Sequence, residues 1–168
     1  MVAIVKKVEV DWNNNASYAD AGEDITSRVR SITTERGRDQ ASQTVGFAIA
    51  GRCSIVLDNR SGDYSSFNAS SPLAGNILPR RRVRVQGDSN VVWIGFLENI
   101  IPVPSVGGDV VANLEAVGPL ALLSVRDVEV AMQASRRSDQ AVGDVLDAAA
   151  WAAGDRSLSV GNTTFTRY

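Results

Sequence analysis

The residue types that drive most hydrolytic chemistry are scarce in this chain. It contains no histidine, so it cannot by itself build a Ser-His-Asp or Cys-His site, a histidine-ligated zinc site or a histidine general base. Its one cysteine, Cys53, alternates with Ile55 and Leu57. That is the pattern of a small core residue rather than a nucleophile, and it leaves no partner for an internal disulfide. Asp58, Asn59 and Asp63 lie close together, but they lack the EF-hand spacing and its terminal bidentate Glu, which makes them turn residues rather than a calcium loop. Asp20, Glu23 and Asp24 would serve as part of a glycosidase pair only within a cleft, and no cleft motif surrounds them. Gly107-Gly108 is not followed by Lys-Ser/Thr, so it reads as a turn and not a phosphate loop. The expectation is a protein with no catalytic residue, no metal and no cofactor.

The densest charge is the cluster Arg80, Arg81, Arg82 and Arg84. Strand alternation places Arg82 and Arg84 on the face opposite Val83 and Val85. Such a face could follow a nucleic-acid backbone. No aromatic residues interleave with these arginines, however, and 17 basic against 19 acidic residues leave a formal charge of -2. Solvation or ion pairing at a subunit contact is therefore the expected role, and Arg36 and Arg38, in a polar stretch expected at a rim, are further candidates for such contacts. No window approaches the roughly 20 apolar residues of a membrane span, because Glu98, Asp109, Glu115 and Arg126 interrupt each one. The opening MVAIVKKVEVDW has its lysines after the apolar residues and no small-residue cleavage site, so it reads as a first strand rather than a signal peptide. No membrane binding by this segment is expected.

These residues must be positioned mainly by strands. Val2 to Val10 alternates, and a polar loop from Asp11 to Gly22 follows, with Trp12 as its anchor. Ile25 to Thr34 is rich in Thr, Val and Ile and predicts a strand with a kink or bulge. Arg36 to Gln43 reads as a polar connection, and Gly46 to Asp58 as the next strand. Pro72 and Pro79 fix φ and remove donors, so the segment between the strands is a packed loop. Val83 and Val85, then Val92, Ile94 and Phe96, predict a hairpin turning through Gly87, Asp88 and Asn90. Pro102 to Gly108 is a loop, and Val110 to Val117 closes an antiparallel β-barrel or sandwich over residues 1–118 with Ile55, Leu57, Val83, Val85, Ile94 and Phe96 in its core. Residues 119–168 form a small α+β segment. Leu120 to Val125 is a helical turn or a strand, and Val128, Val130 and Met132 a short strand. The helix there runs from Ser138 to Trp151, capped by Ser138, stopped by Gly154 and carrying an apolar stripe of Val142, Val145, Leu146 and Ala149. One stripe cannot stabilise a helix this short in water, and the strand-like tail from Ser159 to Tyr168 has no obvious later partner. Both are expected to belong to an incomplete or intersubunit domain, with Val142 and Leu146 as contact candidates.

The stretch from Cys53 to Gly95 resembles the signature of siphophage tail-tip proteins. In that family a strand ends in a Leu-Asp-Asn turn, passes Gly and an aromatic, crosses a Ser-Pro-Leu and Asn-Leu-Pro loop and re-enters an Arg/Val strand. Leu57, Asp58, Asn59, Gly62, Tyr64, Asn68, Ser71, Pro72, Leu73, Asn76, Leu78, Pro79, Arg82, Val83, Arg84 and Val85 stand in that order here. Asp58, Asn59, Gly62, Pro72, Asn76 and Pro79 form its structural motif. The segment from Asp139 to Thr164, with Asp139, Gln140, Val145, Leu146, Asp147, Ala148, Ala149, Trp151, Arg156, Gly161, Thr163 and Thr164, is similar to a helix and Thr-rich strand of the same proteins. Asp24, Ile25, Thr26 and Ser27 with Arg36, Gly37 and Arg38 extend the resemblance over nearly the whole chain. The resemblance implies a tail-tube-like β domain in a baseplate hub or minor tail protein, assembled in the host cytoplasm and resident at the virion tail tip. Its implied partners are the tail tube or distal tail protein, the tape-measure protein and further tip proteins, with DNA only in passage. Members usually continue for hundreds of residues, so this chain is expected to be either the N-terminal piece of a longer hub or a short relative. A homo-oligomeric ring is implied: a trimer if the chain is part of a hub with two such domains, a hexamer if it is complete. The alternative is a carbohydrate-binding or wall-degrading tail module, which an exposed aromatic platform would favour.

Overall fold

The computed structural model describes residues 5–39, 47–88, 90–104, 110–151 and 156–167. The chain divides into two compact units, Met1–Ala121 and Leu122–Tyr168. In the first, β1 (Val5–Asp11), a 3-10 turn (Thr26–Arg28), β2 (Val29–Asp39), β3 (Phe47–Asp58), β4 (Arg82–Gly87), β5 (Asn90–Val103) and β6 (Val111–Val117) build one six-stranded sheet in the order β1-β4-β5-β6-β3-β2. Every pairing is antiparallel, and the sheet curls into a half-barrel. The architecture is thus mainly β, as the strand spacing predicted. It positions one apolar face inward: Val8 and Val10 of β1, Cys53, Ile55 and Leu57 of β3, Val83 and Val85 of β4, and Ala112, Leu114 and Ala116 of β6 are buried. Each large aliphatic side chain so buried contributes on the order of 1.5–3 kcal/mol. Cys53 belongs to this face, and burial pushes its thiol up to about 12, which suits packing and not nucleophilic attack.

Two expectations about the core are corrected by bulges. Val85 pairs with Trp93 while Gln86 pairs with Val91, so Val92 is the extra residue of a bulge in β5. A one-residue shift exchanges the two faces of a strand. Trp93 and Leu97 are therefore buried, whereas Ile94 is 46% exposed and Phe96 is half-buried. Gly95 makes this choice possible: an added Cβ would collide with the Trp93 ring and with the Val117 carbonyl oxygen. A second bulge between Leu97 and Asn99 returns Ile100 to the inner side opposite Leu114.

Three segment boundaries also differ from the sequence reading. Residues 36–39 are not a connection but the far end of β2, since Gly37, Arg38 and Asp39 pair with Ile49, Ala48 and Phe47; their polar character suits an edge strand. Ile25 to Arg28 is not strand: after the bridge residue Asp24 comes Ile25 and then the 3-10 turn, with the anticipated bulge between Val29 and Ser31. Finally, β5 runs through Pro102 to Val103, where a missing donor near the strand end costs the ladder little.

The second unit contains β7 (Ala134–Arg137), α2 (Ser138–Ala148) and β8 (Thr164–Arg167), with α1 (Pro119–Ser124) spanning the division. Val128 to Met132 forms no strand. Instead β7 pairs with β8, so the Thr-rich tail does have a partner. Ser138 is the first helical residue and not the cap; the Arg137 N–H donates to Gln140 Oε1 at 3.0 Å. The helix stops before Gly154, because Ala150 takes the left-handed conformation (φ 52) and the Trp151 N–H returns to the Leu146 carbonyl at 2.9 Å. Asp139 accepts the Gly161 N–H at 3.0 Å and pairs with Arg137 at 3.1 Å, and both interactions hold its carboxyl below the usual range. Arg156 ties its segment to α2 through the Gly143 carbonyl and Asp147. Of the expected stripe only Ala149 is fully buried, beside Ala141; Val142 and Val145 are 48% and 41% exposed.

Candidate functional site

The arginine cluster divides into residues with different duties. Arg84 lies on the outer face of β4 opposite Glu9 of β1. Its Nε and Nη2 each lie 2.7 Å from Glu9 Oε2, and its guanidinium sits 4.0 Å over the Tyr18 ring. Lys7 reaches Glu9 Oε1 at 2.6 Å, which raises the lysine above its ordinary value. Glu9 is fully buried because residues 12–25 fold back over β1: the Val10 N–H donates to the Glu23 carbonyl and the Ile25 N–H to the Val8 carbonyl. Trp12 anchors this cover as expected, buried and donating from Nε1 to the Gly22 carbonyl at 3.1 Å. Arg81 is a loop tie, donating to the Asn76 carbonyl at 3.1 Å. Arg82 pairs across to Phe96 and Asp11 in the backbone ladder. Arg80, in the left-handed conformation at φ 67, is exposed.

The cover holds two more buried carboxylates. Asp11 takes the Asn15 and Ala16 N–H groups at 3.0 and 2.9 Å. Glu23 accepts the Asp20 N–H at 2.9 Å through Oε2, but its buried Oε1 has no hydrogen-bond partner. Burial first, and repulsion from Asp20 and Asp11 next, raise the Glu23 carboxyl above its ordinary value. A raised carboxyl pKa means that ionised Glu23 weakens the folded state at neutral pH, and that this cost disappears as pH falls through the raised value toward the unfolded one. Glu23→Gln keeps an acceptor for Asp20 and removes the charge. It is expected to stabilise the protein at pH 7 by about 1 kcal/mol, the scale of one unsatisfied buried group. The gain should vanish below about pH 4, which urea unfolding at several pH values measures.

The loop 59–81 is rigidly tied. Asn59 is buried and its Oδ1 accepts the Tyr64 N–H at 3.0 Å; Gly62 turns at φ 72 and its carbonyl accepts from Asn68 Nδ2 at 3.1 Å. Ser71 donates to the Asp63 carbonyl at 2.6 Å. Tyr64 packs beside Trp12 with ring centroids 6.4 Å apart, and burial pushes its hydroxyl up to about 12. Asp58 accepts the Arg60 N–H and faces Arg30 and Arg60, which hold its carboxyl below the usual range. Pro72 and Pro79 are exposed, and Asn76 bridges to Asn13 at 3.3 Å. Among the described residues no group of three or more His, Cys, Asp and Glu side chains is placed to hold a metal ion. No helix among them is long and apolar enough to cross a membrane.

The predicted contact residues lie on different elements. Arg80, Arg81, Arg82 and Arg84 are on or beside β4, Arg36 and Arg38 lie at the far end of β2 with side chains outside the described residues, and Val142 and Leu146 are on α2 of the second unit. Sequence reasoning missed Glu9 and Phe67. Glu9 carried a signal, since it occupies the polar side of β1 opposite an arginine strand. Phe67, 92% exposed in a Ser/Asn-rich loop, is a large aromatic without an apolar neighbour in sequence.

The fold resembles that of a prophage tail protein. The 43 kDa tail protein of prophage MuSo2 from Shewanella oneidensis, known from a crystal structure, superimposes with a TM-score of 0.53 at 11% identity. The match covers 99% of this chain, and the chain spans 44% of that protein. At this identity the likeness is one of fold. Neither a protein-family model nor a curated protein matches the chain.

Proposed function

We propose that this chain is a structural component of a phage or prophage tail, and within the tail a baseplate hub or minor tail protein at the tip. The observation that carries the reading is the likeness to the MuSo2 tail protein over 99% of the chain. The Leu57-Asp58-Asn59 to Arg82-Val85 signature supports the narrower placement. In this reading the half-barrel stands with its copies in a closed ring that continues the tail tube, formed by repeated head-to-tail contacts. The open sheet suits that arrangement, since β2 ends it with an edge strand while β1 is covered by residues 23–25. DNA passes through the ring without being read. Tail tube or distal tail protein, tape-measure protein and other tip proteins are its neighbours, and assembly rather than catalysis is its work.

Labelling this chain in purified particles and imaging them tests the proposal. Ring density at the end of the tube is expected. Peripheral density would replace the hub reading with that of a surface-binding module, and absence of the label from intact particles would overturn the tail assignment.

A further inference from the structure

The loop 59–81 presents an aromatic knob beside a hole of similar size. Successive turns hold its backbone, with Gly62 N–H to the Asn59 carbonyl at 2.9 Å, Asn68 to Ser65 at 3.0 Å and Ser71 to Asn68 at 3.0 Å. Tyr64, Ser71 and Leu73 are buried beneath it. Phe67 is nevertheless 92% exposed at its apex. An exposed aromatic on a rigid support loses little conformational entropy when it docks, and such residues dominate the energy of protein contacts. Next to it lies a cavity of about 200 Å³, with Ile77, Leu78, Pro79, Leu97 and Ile100 as its apolar lining and Glu98 and Asn99 as its polar rim. Ser66 also lines the cavity, while the Phe67 side chain beside it points into solvent.

The charges beside the cavity select the occupant. Arg80, in the turn before β4, and Glu98 of β5 are both exposed, and their segments are tied together by the Arg80 N–H to Leu97 carbonyl bond at 2.6 Å and the Leu97 N–H to Arg81 carbonyl bond at 2.7 Å. Neither side chain has an ion-pair or hydrogen-bond partner among the described residues, in contrast to Arg81 and Arg84. One unpaired charge of each sign beside a knob and a hole makes a self-complementary patch, the requirement of a two-fold contact. We propose that a second copy of this chain docks here, each Phe67 entering the other's cavity and each Arg80 facing the other's Glu98. This contact is two-fold and therefore separate from the head-to-tail ring of the proposed function.

Sedimentation of the purified chain over micromolar to millimolar concentration is the test, with circular dichroism melting as a folding control. The wild type is expected to dimerise. Phe67→Ala should weaken the dimer at least tenfold without changing the melting temperature, since Phe67 makes no core contact. Arg80→Glu and Glu98→Arg should each weaken it, and the double exchange should restore it. A wild type that stays monomeric, a Phe67→Ala protein that associates normally, or a double exchange no better than either single variant overturns the proposal. Loss of the dimer in Phe67→Ala with tube-end rings intact in particles would separate this contact from the ring.

Discussion

Gly95→Ala is expected to destabilise the first unit by about 3 kcal/mol, the upper part of the range for overpacking a dense core, and to broaden its thermal transition. The added methyl meets two obstacles of different kinds. One is the Trp93 ring, buried on the same face of β5; the other is the Val117 carbonyl oxygen of β6. A side chain can change rotamer, but the indole is already enclosed and the carbonyl belongs to the sheet. Relief therefore requires β5 and β6 to separate or Trp93 to leave the core. Near-ultraviolet circular dichroism and urea unfolding measure both consequences. A Gly95→Ala, Trp93→Leu double variant should recover part of the loss, because a smaller side chain vacates one of the two contacts. Unchanged stability in Gly95→Ala would contradict the placement of Trp93.

Arg84→Ala is expected to cost about 3 kcal/mol, the lower end of the range for leaving one member of a buried ion pair without its partner. Glu9 is fully buried and depends on Arg84 at 2.7 Å, with Lys7 at 2.6 Å as the remaining cation. That lysine is the reason for placing the cost at the low end. Replacing both members, Glu9→Gln with Arg84→Met, should be less damaging than Arg84→Ala alone, because no buried charge is left behind. Guanidinium unfolding of the wild type and the two variants decides this. If the double variant is the least stable, the ion pair contributes net stability and is not merely a satisfied burial.

The two buried glutamates, Glu9 beneath the cover and Glu23 within it, should respond oppositely to mutation. Glu9 has two cations, so neutralising it alone strands Arg84. Glu23 has one N–H and two neighbouring carboxylates, so neutralising it relieves the fold. Their local sequences differ, Glu9 standing between Val8 and Val10 of β1 and Glu23 between Gly22 and Asp24, but neither context announces the partners each will meet. The distinction arises from tertiary pairing: β4 sets Arg84 against Glu9, whereas the fold of the cover leaves Glu23 near Asp20 and Asp11.

Strand identity was largely written in local alternation, because one face of each strand had to be apolar to be buried. That is why Ile55, Leu57, Val83 and Val85 could be placed in the core from the sequence. Alternation also put Arg82 and Arg84 outward. It failed for Ile94 and Phe96 because an apolar run such as VVWIGFL offers two candidate faces, and a single bulged residue, Val92, chooses between them. A bulge is fixed by pairing with β4 and by the space that Gly95 leaves, neither of which is a property of β5 alone. The helix α2 was equally visible, but its capping was not: the ends were set by Gln140 and by the left-handed Ala150 in place of Ser138 and Gly154.

By itself the sequence determined a mainly β chain with an aromatic-anchored cover, a proline-bearing loop after Asp58 and no histidine chemistry, since these follow from residue type and short-range periodicity. Only the tertiary structure decided that Arg84 is committed to Glu9 while Arg80 is left facing solvent, and that Phe67 stands beside a cavity. The physical reason is separation along the chain. Charge pairing and cavity shape depend on which distant segments meet, and across the separation of 75 positions from Glu9 to Arg84 no local pattern announces the pairing.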